Sequence, residues 1–243
     1  MKERIKNFTS DKIKLMAVIL AIIVIVVAVV LVITITGKDD VQTMDPAAII
    51  GPVADIKADV SVSGISVTSV DTIAGMYVED GTNDVLTDIL TVTFTNDSDK
   101  ALQYAKLVLS VGEEDYVFEI STIPAGASVR AMEMNRKTLV PTKGEVTLNQ
   151  ENIVWFNDEL SLCEGLLEIT PTDNGIAVKN VSGSAINAPL YVYYKNYVDD
   201  TYVGGITYRA GTQENLEPGK TVMLSAKHID VDTSKLMFVT YGA

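Results

Sequence analysis

The chain has 243 residues, 47% of them hydrophobic and 21% charged, with one Cys, one His and one Trp. One Cys excludes an intrachain disulfide, and one Cys with one His excludes a Cys/His structural zinc site. A formal net charge of −13 argues against nucleic acid or an anionic lipid surface as a partner.

From Leu15 to Gly37 no residue is charged, and the run LMAVILAIIVIVVAVVLVITIT is almost wholly Ile, Val, Leu and Ala. As a helix of about 21 residues it spans roughly 32 Å, the thickness of bilayer hydrocarbon. Only a helix satisfies its own backbone there in one pass. Residues 1–14 carry Lys2, Arg4, Lys6, Lys12 and Lys14 against Glu3 and Asp11, whereas the far flank opens Lys38-Asp39-Asp40. The positive-inside rule predicts a cytoplasmic basic segment over 1–14, a transmembrane helix over 15–36, and an extracytoplasmic remainder. A cleaved signal peptide would have a shorter apolar region ending in a small-x-small site, and Thr34-Ile-Thr-Gly offers none. A lipoprotein would need a Cys just after the run, and the sole Cys is Cys163. Beyond residue 37 there are 14 basic and 30 acidic residues. That balance suits a soluble part held off an acidic envelope.

Residues 37–55, with Pro46, Gly51 and Pro52, read as a juxtamembrane stalk. After them apolar and polar residues alternate over 60–67, 90–95, 107–111, 116–120, 128–134, 146–148 and 153–156. The pattern resumes over 166–170, 175–179, 189–195, 202–209, 221–225 and 236–241. Period 2 in Val, Ile, Thr and aromatics predicts strands with one face in a core. Outside the membrane there is room for a short helical turn only at 42–50 or 150–160. Short strands punctuated by turns such as Asp173-Asn-Gly, Asp199-Asp and Glu217-Pro-Gly-Lys predict antiparallel sandwiches.

The two halves are copies. Asn96-Asp-Ser aligns with Asn180-Val-Ser, Ala101-Leu102 with Ala185-Ile186, and Ile123-Pro-Ala-Gly with Leu216-Glu-Pro-Gly. The offset grows from 84 to 93 residues between these anchors, so the second copy holds nine extra residues, expected in a hairpin around Asp199–Gly205. Asn-x-Ser after a strand is a side-chain-capped turn. Pro and Gly before a strand make a tight one. The expected architecture is mainly β: one N-terminal transmembrane helix, then two tandem Ig-like antiparallel β-sandwich domains over 56–160 and 161–243.

The strand–Asn-x-Ser–strand–Pro-Gly–strand grammar resembles the small bacterial extracytoplasmic modules of the FxLYD type. It is also similar to membrane-anchored proteins of Gram-positive anaerobes in which a stretch like Tyr193-Tyr-Lys-Asn…Gly204-Gly-Ile-Thr-Tyr-Arg precedes a Pro-Gly turn and a final aromatic strand. Leu190-Tyr-Val-Tyr stands where the core tetrapeptide would be. The resemblance implies a sandwich module and carries no activity with it.

Residues with the makings of chemistry are few. A nucleophile needs a base in reach; His228 with nearby Ser225 is the one such pairing, and it reads as a strand-end His. Cys163, between apolar residues and a Gly, reads as a packing thiol. Acidic pairs such as Asp199–Asp200 and Glu113–Glu114 fall in turns. Asp80-Gly-Thr-Asn-Asp and Asp230-Val-Asp-Thr-Ser are the nearest approaches to a calcium loop, and neither has the spacing of an EF-hand. No metal, cofactor or catalytic residue is therefore expected. The richest surface candidate is aromatic: Tyr191, Tyr193, Tyr197, Tyr202 and Tyr208 crowd one hairpin with Asn196, Asp199 and Asp200, the composition of a sugar- or protein-binding face.

The sequence thus points to a non-catalytic, single-pass, membrane-anchored interaction or assembly protein of the cell envelope. Its partners would be the membrane and an envelope protein or glycan. An accessory or sensor subunit pairing through its membrane helix, and a carboxylate-dependent envelope hydrolase, are the alternatives.

Overall fold

A computed structural model of the chain describes residues 48–52, 60–82, 84–138, 146–173 and 175–242, within one compact unit, Met44–Ala243. The basic segment 1–14, the expected membrane helix over 15–36 and residues 37–47 lie outside the described residues. Strand makes up 62% of the described residues and helix none of them. In chain order the strands are β1 (Ala48–Pro52), β2 (Ser61–Val62), β3 (Ile65–Met76), β4 (Val85–Asn96), β5 (Leu102–Val111), β6 (Glu114–Ile123) and β7 (Ser128–Met132). They continue with β8 (Val146–Trp155), β9 (Leu167–Thr172), β10 (Gly175–Asn180), β11 (Leu190–Val198), β12 (Thr201–Thr212), β13 (Thr221–Leu224) and β14 (Ser234–Tyr241).

Period 2 places one face of each strand inside. Along β5, Leu102, Ala105, Leu107, Leu109 and Val111 are buried while Gln103, Lys106 and Ser110 turn outward. The first core lies between β3-β4-β7 and β6-β5-β8. Phe94 of β4 meets Phe118 of β6 edge to face at 5.3 Å in its middle. Each large side chain fully removed from water there contributes about 2 kcal/mol. A second core lies between β9-β10-β13 and the pair β11–β14, around Ile176, Val178, Leu190, Val192 and Leu224.

Strand order repeats between the halves. β4 lies between β3 and β7 as β10 lies between β9 and β13; β5 lies between β6 and β8 as β11 lies between β12 and β14. The anchors of the sequence repeat superpose in pairing as well. Leu102 pairs with Ile123 in the first half, and Ile186 bridges Leu216 in the second.

The halves are not separate sheets side by side. β7 pairs in parallel with β12, Thr201–Val203 against Ser128–Arg130, so that β1-β3-β4-β7-β12-β11-β14 form one continuous sheet, with β2 on β3. Within the stretch read as a stalk, Ala48–Pro52 is an edge strand on β3. Residues 48–50 and 150–155, where a helical turn had room, are strand. In both cases pairing along an existing strand satisfies the backbone that a lone turn would leave open.

Candidate functional site at the joint between the halves

Two long hairpins build the joint. In the first half β3 and β4 run twelve residues each and carry Tyr77–Asp84 at their tip; their counterparts β9 and β10 are six residues each. In the second half, Asp199 and Asp200 (φ +48° and +60°) make a two-residue turn of the kind that matches strand twist. β12 then continues into a bulge: Tyr194 pairs with Tyr208 and Asn196 with Val203, so Gly204–Thr207 stand opposite Lys195 alone. The nine extra residues of the second copy are spent on this longer hairpin and its bulge. Gly204 takes φ +81°, and a Cβ on Gly205 would collide with the Glu119 carbonyl. Both positions therefore require Gly.

The bulge is held from both sides by charge. Glu79, from the β3–β4 tip, accepts from the N–H of Met132 at 2.7 Å, of Gly205 at 2.8 and 3.0 Å, and of Ile206 at 3.2 Å. Lys195 donates to the carbonyls of Gly204, Gly205 and Ile206 at 3.1, 3.0 and 2.6 Å. Lys195 is fully buried and Glu79 nearly so. Burial pushes the Lys195 ammonium's pKa down, with Glu79 resisting; burial pushes the Glu79 carboxyl's up, with the backbone N–H groups and Lys195 resisting. Hydrogen bonding decides the states. Three carbonyls need three N–H donors, which only an ammonium has, and Glu79 meets only donors, which suits a carboxylate. Ser121 and Thr207 tie the same bulge to β6, hydroxyl to hydroxyl at 2.8 Å. A cavity of about 190 Å³ beside it is lined by the same Ser121 and Thr207, whose hydroxyls also lie 3.0 and 3.1 Å from the carbonyls of Gly205 and Ser121.

Beside the joint opens a larger cleft of about 440 Å³. Its apolar wall is Phe156, Leu160, Met237 and the ring of Tyr202. Phe156 stands edge to face with Phe238 at 5.3 Å, and Phe238 stacks on Tyr193 at 4.2 Å. Its rim carries Asp99, Asp158 and Glu159 together with Lys100 and Lys235. Lys235 lies over the ring of Tyr197.

The tyrosines of the hairpin are divided by this arrangement. Tyr202 is buried in the first core and Tyr208 in the second. Tyr193 and Tyr197 are half-buried against the first core, and Tyr197 meets Tyr202 edge to face at 4.9 Å. Tyr191 stands apart, under the Arg209 guanidinium at 4.4 Å and hydrogen-bonded to Gln213. The structure thus brings Tyr193, Tyr197 and Tyr202 to the joint and leaves Tyr191 and Tyr208 elsewhere. Burial raises the pKa of Tyr208, and its ring stacks on His228 at 4.6 Å. Among the described residues no hydrogen bond links His228 to Ser225. Cys163 is half-buried against the second core. In the Asp80–Asp84 loop the cation is a protein one: Arg136 binds Asp80 at 2.6 Å and Asp84 at 3.0 Å. Asp230 accepts from the N–H groups of Asp232 and Thr233, an Asx turn. Among the described residues no three His, Cys, Asp or Glu groups converge as a metal site.

Glu79 and Lys195 escaped sequence reading because each looks like a surface residue, one in a turn and one in a polar run. Gly204-Gly205 inside a strand was the available signal, since such glycines mark a bulge or a close approach. Compared with protein-family models, characterised proteins and solved structures, the chain matches none.

Proposed function

We propose that this chain is a membrane-anchored, extracytoplasmic, non-catalytic binding protein of the cell envelope. Its two halves are tandem Ig-like sandwiches of the FxLYD-like kind, and the cleft at their joint is where a partner is held. The anchoring rests on the uncharged run from Leu15 to Gly37 and its basic inner flank. The observation that carries the binding role is the cleft: an aromatic wall made jointly by both halves, beneath a rim of charged side chains without ion-pair partners among the described residues. A single sandwich could not make it, which gives the fused pair a purpose that either half lacks.

Location is tested by labelling intact cells with a membrane-impermeant maleimide, in a Cys163→Ser background. Val231→Cys, at an exposed position, labels from outside, and Ser10→Cys labels only after permeabilisation. The reverse pattern overturns the orientation, and recovery of the chain in the soluble fraction overturns the anchor.

A further inference from the structure

We propose that the joint cleft binds a short neutral saccharide, with the Tyr202 hydroxyl as its internal hydrogen-bonding point. This deepens the reading of the joint as a binding site and rests on it. Tyr202 is 7% exposed, and its ring is fixed by Tyr197 and the first core. Among the described residues its hydroxyl has no hydrogen-bond partner, and it is not one of the fully buried atoms left without one, so it reaches solvent. Arg130 Nε is the one fully buried side-chain atom left without one among the described residues. A phenol held that firmly and left unspent at the wall of a cleft is matched by water or by a ligand hydroxyl.

The rest of the cleft narrows the ligand. Carboxylates at Asp99, Asp158 and Glu159 share the rim with ammonium groups at Lys100 and Lys235, so the mixed signs leave no strong field for an ion of either kind. What it offers is acceptors and donors at close range, plus the Asn157 amide, around the Phe156 ring. A sugar ring presents a C–H face to an aromatic wall and alternates hydroxyl donors and acceptors along its edge. The volume, about 440 Å³, lies within the range of small-ligand sites. An extended cationic peptide would meet Lys100 and Lys235, and a compact anion would meet the three carboxylates.

The test uses the full chain in a zwitterionic detergent without sugar headgroups. Maltose, cellobiose and N,N′-diacetylchitobiose are titrated calorimetrically, with trilysine and inorganic phosphate as the charged comparisons. At least one disaccharide binds, and Tyr202→Phe weakens it about tenfold by deleting one hydroxyl. Asp158→Asn and Asn157→Ala, at exposed linker positions that leave the core intact, weaken it about threefold and stand in if Y202F lowers the melting temperature. Absence of any disaccharide binding tighter than about 10 mM overturns the proposal. So does binding of trilysine or phosphate alone, or saccharide affinity indifferent to all three variants. None of these outcomes bears on the maleimide pattern, so ligand and location fail separately.

Discussion

Asn96 and Asn180 stand 84 residues apart and do matching work, with one bond more at Asn96. The amide of Asn96 donates to the carbonyls of Lys100, Ile123 and Pro124, and that of Asn180 to the carbonyls of Ser184 and Leu216. Each side-chain oxygen accepts from the hydroxyl of the Ser two residues on, at 2.7 Å. Each backbone carbonyl accepts from the Gly of the later turn, Gly126 or Gly219. One side chain thereby ties two distant turns at the same end of each half. Asn180→Ala is expected to cost about 2–4 kcal/mol, as a buried amide and its carbonyl partners lose their bonds. Asn180→Asp is expected to cost more, because a carboxylate would face carbonyls at 2.7 and 2.8 Å. Denaturant unfolding at neutral pH ranks the two.

At the joint, removal of either charge leaves the other buried beside the same backbone. Lys195→Met is expected to cost about 3–5 kcal/mol. The double variant with Glu79→Gln is expected to cost less than the sum of the two single changes. A double-mutant cycle by chemical denaturation measures that coupling, and strict additivity would show that the bulge does not link them.

Two glycines separate close approach from open space. Gly205→Ala places a methyl against the Glu119 carbonyl and is expected to cost at least about 2 kcal/mol. Gly183→Ala meets nothing within 4 Å and is expected to be neutral or to stabilise by up to about 1 kcal/mol. Thermal unfolding of the pair under one buffer decides it.

Two groups outside the joint pair set opposite pH limits. Thr82 first, then Arg136, hold the Asp80 carboxyl down to about 2. A depressed acid stabilises above its unfolded value, so this contribution is present above about 4 and is lost as pH falls toward 2. Asp80→Asn flattens that part of the stability curve. Burial first, then Glu79, pushes the Tyr77 phenol up to about 12. A raised phenol keeps its proton in the folded state only, so stability falls between pH 10 and 12. Tyr77→Phe makes that alkaline slope shallower, the remainder coming from the buried phenols of Tyr194, Tyr202 and Tyr208. It also lowers stability at every pH, since the hydroxyl reaches the Glu133 and Met134 carbonyls. Phenolate absorbance followed through unfolding reads the alkaline limb directly.

Most strands were legible because their interior residues alternate without interruption, as along Leu102–Val111. The repeat was legible because Asn-x-Ser and Pro-Gly do the same physical work in both halves. β3 was only half legible: its pairing with β4 shifts between Val67 and Ser69 and again between Ile73 and Gly75, and such bulges reset the period on which the reading depends. Alternation over 60–67 predicts a single strand, but Ser63-Gly64 is the hairpin turn between β2 and β3, with Gly64 at φ +83°. The joint was least legible of all. Its position depends on contacts more than a hundred residues apart, Glu79 with Gly205, and local pattern contains no trace of such a distance. The tyrosine run was visible, but not which rings would be used up inside.

The enlarged β3–β4 hairpin belongs to the first copy alone and the enlarged β11–β12 hairpin to the second alone. The copies are therefore not interchangeable, although they share a plan. A chain built of two first halves would lack the bulge that Glu79 grips, and one built of two second halves would lack Glu79. Either would fold as two beads on a string.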